Sequence, residues 1–179
     1  EIAFAQTYFA TQTRKQELQE DYKQLEERLQ ARARLSEAEK QLSATLYEHG
    51  VGEMGFSIVQ TRGDNALFGG YSSNQMKNRL GIKGALADFL PTVTLKAKEF
   101  AAAITDFNVR RQKLSGVMKI GDEHVKNNVD IREVLDKSDI HPEDLPPEED
   151  IAALERRIAT HGKNLPAPDG ELETLEKVE

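Results

Sequence analysis

The opening third of the chain does most to limit the fold. From Ile2 to about residue 33, apolar residues recur at three- and four-residue steps: Ile2, Phe4, Ala5, Tyr8, Phe9, then Leu18, Tyr22, Leu25 and Leu29. That spacing is the period of an α-helix. The apolar density falls after Phe9. Between Gln16 and Arg34 the sequence is highly charged and keeps one narrow stripe, Leu18–Tyr22–Leu25–Leu29. A stripe this narrow suits a coiled-coil seam or a two-helix contact better than a globular core face, so it is the expected oligomer seam. Ser36 and Glu39 then have capping-box spacing, with Leu35, Leu42 and Leu46 along one face. Either a second helix starts there or one helix runs through. Gly50 and Gly52 end it. Residues 1–49 are therefore a long helical segment of one or two helices.

The rest of the chain is also helical by pattern. "FSIVQT" (56–61) has strand-like composition but lies between helical neighbours, and it is read as a helical turn. Ser72 or Ser73 is placed to cap a short helix over 74–80, closed by Gly81. "GALADFL" reads as another short helix, ended by Pro91, and Thr92 or Thr94 is placed to cap the next. In that helix Leu95, Phe100, Ile104 and Phe107 fall near one face, and Ala101 to Ala103 permit close packing, so it is expected to be the central core helix. A helix over about 122–137 follows, with Val125, Val129, Arg132 and Leu135 along it. Pro147 stands where a first helical position is expected, with Glu148, Glu149 and Asp150 in the first turn and Arg156 and Arg157 near the last. The expectation is an all-α fold. A long N-terminal amphipathic helix or helical hairpin packs with a small helical bundle over 50–162, followed by a flexible acidic tail over 163–179. The chain starts inside an amphipathic pattern with no cap before it, which suggests a piece of a longer protein.

Charge is unevenly spread. Residues 1–61 carry 7 basic and 10 acidic groups, residues 62–132 carry 12 and 7, and residues 133–179 carry 5 and 14, for a total of −7. A basic middle with an acidic end can hold an anionic partner locally, or the acidic end can cover the basic middle. "DNALFGGYSSNQMKNRLGIKG" (64–84) combines glycines with Lys77, Arg79 and Lys83. It lacks the G-K-[ST] ending of a nucleotide-binding P-loop. Arg62, Lys77, Arg79, Lys83, Arg110, Arg111 and Lys113 are the candidate contacts to a nucleic acid or other anion. Phe68 and Tyr71 either stack on bases beside them or plug the core while the glycines shape the bend. The core reading is favoured.

No catalytic constellation emerges. The four histidines, His49, His124, His141 and His161, form no metal-binding pair, and there is no cysteine. Each is read as an ordinary surface or partly buried residue. Glu148–Glu149–Asp150 is explained by a helix N-terminus rather than a cation. The expectation is no enzyme, no metal, no cofactor and no small-molecule substrate. No apolar run approaches a membrane span and no signal peptide is read, so a cytoplasmic protein without a membrane is expected.

Five segments together resemble the DNA-damage-inducible protein D (DinD) family: "QTYFATQTRKQEL" at the start, "ALFGG" (66–70), "FLPTVTLKAKEFAAAITDFNV" (89–109), "EHVKNNVDIREVL" (123–135) and "PEDLPPEEDIAALERR" (142–157). The resemblance covers nearly the whole chain. It implies the C-terminal portion of a bacterial protein whose N-terminal Bro-N-like domain is associated with DNA binding. It also implies a non-enzymatic role in the SOS response, in which the protein interacts with the RecA recombinase and limits its filaments on single-stranded DNA. A direct nucleic-acid-binding module and a helical oligomerisation module are the competing readings.

Overall fold

A computed structural model describes residues 2–161, except for the side chains of residues 2–5, 7–9 and 161. The expected tail (163–179), the Gly162 stop and the first apolar cluster (Ile2, Phe4, Ala5, Tyr8, Phe9) thus lie outside what is described, wholly or in their side chains. Among the described residues the secondary structure is helical throughout. Helix α1 spans Ile2–Glu48, α2 Glu53–Leu67, α3 Ser73–Leu80, a 3-10 turn Leu86–Phe89, α4 Thr92–Gln112, α5 Val117–Asp136 and α6 Ile151–His161. α1 is one helix. Ser36 is exposed in its middle, so its capping-box spacing goes unused.

The C-terminal half of α1 forms a bundle with α2, α4 and α5. α1 and α4 run parallel: Lys96 pairs with Glu27 at one end and Arg110 donates to Thr45 at the other. α2 and α5 run together in the opposite sense. A Cβ added to Gly55 would meet Val117, and Arg132, two turns beyond His124, reaches the carbonyl of Leu67. Around the ring the order is α1, α4, α5, α2, with α1 and α2 touching least. Ala31, Leu35, Phe68, Met76, Leu86, Leu90 and Leu95 fill the end where α4 begins. Leu42, Leu46, Val51, Val59, Ala102, Val109 and Ile120 fill the other end.

Local signals explain several boundaries. Ser72 accepts from the Gln75 backbone N–H while Gln75 Oε1 accepts from the Ser72 N–H, a reciprocal capping box. Gly81 closes α3 at φ 66°, a left-handed position that glycine takes without a Cβ penalty. Three expectations are corrected. Neither Thr92 nor Thr94 caps α4; the N-cap is Pro91, which carries no side-chain acceptor, and Thr94 is buried. Pro147 stands four residues ahead of α6, which Asp150 caps by accepting from the N–H groups of Ala152 and Ala153 at 2.9 and 3.1 Å. α5 begins at Val117, five residues before the expected 122.

Candidate interaction surface

The seven basic candidates fall into three places. Lys77, Arg79 and Lys83 sit on α3 and its exit, beside the start of α4. Arg79 is paired with Asp144 at 2.7 Å and lies 5.2 Å from the Tyr71 ring centroid. Lys77 is half-buried and Lys83 exposed. Arg110, Arg111 and Lys113 sit at the far end of α4, a 21-residue helix and so about 30 Å long. Arg110 is tied to Thr45 at 2.6 Å and to Asp106 at 3.1 Å. Arg62 pairs with Asp122 at 2.5 Å and lays its guanidinium over Gly121. The two main groups therefore do not share one patch. Part of the basic middle is covered by the acidic segment that follows. Arg132 holds Glu143 through both guanidinium nitrogens at 2.8 and 2.6 Å, and that hydrogen-bonded charge lowers the Glu143 pKa. Arg28 is 3% exposed, and its guanidinium donates to the carbonyls of Leu90 and Asp88. Burial lowers its pKa while Glu148, Glu149, Asp150 and Asp88 oppose that shift.

The expected seam finds a partner within the chain. Tyr22 donates to the Ile158 carbonyl at 2.8 Å, and Leu18, Tyr22 and Leu25 line a small cleft with Arg157 and Ile158 of α6. Leu25 and Leu29 are half-buried, and Leu18 is 52% exposed.

The outward face of α4 differs from expectation. Leu95 is buried, but Phe100 and Phe107 are 60% and 61% exposed. The buried face is built instead from Thr94, Leu95, Ala97, Ala101, Ala102, Thr105 and Val109. These smaller residues let α1 and α5 approach closely. Val93, Phe100 and Phe107 are each seven apart, so they form one ridge, and Val93 is also exposed. Lys96 and Arg111 flank the ridge, with the Arg111 guanidinium 5.5 Å from the Phe107 centroid. This is an exposed aromatic and cationic strip about 20 Å long from Val93 to Phe107.

Behind it the bundle encloses a polar centre. Lys98 of α4 pairs with Asp64 of α2, and Asp64 also accepts from Ser73. Asn127 donates to Thr105 Oγ1 at 3.0 Å, Thr105 donates to the Ala101 carbonyl, and His124 Nδ1 lies 2.8 Å from the same hydroxyl. The hydroxyl has one hydrogen, so with that hydrogen on the Ala101 carbonyl the His124 ring donates to it from Nδ1. Its Nε2 faces Gly63. Burial, with the Lys98 charge nearby, lowers the His124 pKa to about 4. His124 thus departs from the ordinary surface or partly buried residue expected. Its partners come from another helix, and nothing local in the sequence marks them.

The model of the DinD C-terminal domain matches residues 18–154, which runs from the start of the α1 stripe to the buried Leu154 of α6. The chain belongs to the DinD C-terminal domain family. DNA damage-inducible protein D of Escherichia coli (strain K12) is 33% identical over 167 residues, covering 88% of this chain. The chain spans 61% of that relative's length. The bundle, the 3-10 turn and the α4 ridge all lie inside the matched region of the family. No helix among the described residues is long and apolar enough to cross a membrane.

Proposed function

We propose that this domain is a non-enzymatic regulatory module of the bacterial DNA-damage response. It acts in the cytoplasm on RecA-type recombinase filaments assembled on single-stranded DNA. Family membership and the relative's damage-inducible character support the setting. The observation that carries the contact site is the ridge Val93–Phe100–Phe107 with its flanking cations. Exposed aromatics grouped on one rigid helix are a common anchor for a macromolecular partner. The cations Arg110, Arg111 and Lys113 extend the strip toward negative charge on the filament.

The test follows filament lifetime by fluorescence of labelled single-stranded DNA bearing RecA, with this protein titrated in. The expected result is a shortened lifetime that Phe100→Ser with Phe107→Ser abolishes. No change at high excess of the unaltered protein contradicts the reading.

Direct binding of single-stranded DNA is a second reading, favoured by Arg111 over Phe107. A cation beside a ring is the arrangement that tracks a backbone and stacks a base. It requires affinity for bare DNA that falls steeply with salt. Replacing Lys77, Arg79 and Lys83 by alanine tests the other basic group in the same assay.

A further inference from the structure

A second surface lies between α1 and α2, apart from the α4 ridge. α1 and α2 are joined by the short loop 49–52 yet touch little, because α1 is packed on α4 and α2 on α5. An open groove lies between them. Ala44, Tyr47 and Phe56 give it an apolar lining, and Tyr47 is 77% exposed. Glu39, Glu48 and Glu53 edge it against the single cation Lys40. From Glu39 to Glu48 the wall runs about 13 Å, or two and a half helical turns.

We propose that this groove is the docking site for a basic amphipathic helix of a partner protein, its apolar face on Tyr47 and Phe56 and its cations on the three carboxylates. Charge selects that occupant. The chain's own residues 163–179 carry two basic and five acidic groups, the same sign as the groove, and are repelled by it. Helix-in-groove recognition needs anchors at three-, four- and seven-residue spacing on one face, and a wall of this length accommodates one such set. Glu39 adds a specific site. Among the described residues it makes no ion pair or hydrogen bond, and burial raises its pKa, with Lys98 and Arg32 opposing. A partner lysine or arginine seated there meets a desolvated carboxylate, where a charged hydrogen bond is stronger than at an exposed one.

The experiment uses a labelled 14-residue helical peptide of leucine and lysine in amphipathic order, and a leucine–glutamate peptide of the same pattern. The expected result is saturable binding of the first and none of the second. Peptide-induced amide shifts should be confined to residues 39–56. Glu48→Lys with Glu53→Lys, both at exposed positions, should weaken binding fivefold or more. The exposed control Glu133→Lys on α5 should stay within twofold. Weakening of less than fivefold in the double variant, equal weakening by the control, or shifts spread over other helices overturns the proposal. Groove shifts that appear with protein concentration alone, without peptide, assign the groove to a second copy and also overturn it.

Discussion

At the scale of single residues, His124 makes the sharpest statement. Its Nδ1 lies 2.8 Å from the buried Thr105 hydroxyl, and its Nε2 is pressed toward Gly63 with Lys98 nearby. The folded pKa of about 4 lies below the ordinary value of 6.5, so the unfolded chain binds more protons between those values. Stability therefore falls as pH drops below about 6.5, and this contribution is fully lost near pH 4. Urea unfolding at pH 7 and pH 4.5 should show a loss of about 2.5 kcal/mol from this group. His124→Gln should remove that component. A second residue-scale prediction concerns Gly63. A methyl there would overlap the His124 ring and meet Asn128 Nδ2 at 2.9 Å, so Gly63→Ala should destabilise by roughly 1–3 kcal/mol, despite alanine's better helix propensity.

At the scale of elements, the α4 result reassigns which face is core. Leu95→Ala should cost about 2–5 kcal/mol, as for a buried leucine, whereas Phe100→Ser should stay within about 0.5 kcal/mol, as for a surface site. Thermal unfolding of the two variants distinguishes the observed face from the one expected by counting large apolar residues. That count failed because the buried face of α4 is made of Ala97, Ala101, Thr94 and Thr105, which carry weak hydropathy signals. Ser72 and Gly81 were legible because a capping box and a left-handed glycine act within a few residues. The α2–α5 contact was not legible. It depends on Gly55, Gly63 and Gly121, whose Cβ-free surfaces are filled by Val117, His124 and Arg62 from the other helix. Arg132 links the same pair of helices to the segment beyond. Arg132→Met should destabilise by about 2 kcal/mol, because Glu143 and the Leu67 carbonyl each lose a charged donor. Denaturant midpoints measure this directly.

Across the whole molecule, the uneven charge of the sequence resolves into two uses. The acidic stretch 143–150 turns back on the bundle, where Glu143 takes Arg132, Asp144 takes Arg79, and the Glu148–Asp150 group faces Arg28. The acidic end thus neutralises part of the basic middle from within. What stays outward at the other end of α4 is Arg111 and Lys113 beside Phe107. The partner stripe on α1 is taken up in part by α6 through Tyr22 and Ile158, an arrangement that a periodicity cannot distinguish from a seam between chains. The all-helical class and the long first helix were readable from period alone. Which helix faces stay open was not, because it depends on how four helices share three core clusters.

In the proposed function the outward face of α4 meets the recombinase filament. Hydrogen–deuterium exchange of this protein, alone and with RecA filaments on single-stranded DNA, tests it most directly. The predicted result is added protection in peptides spanning residues 93–113, lost in the variant carrying Phe100→Ser and Phe107→Ser. Saturating filament that leaves α4 unprotected, or protects only other helices, contradicts it.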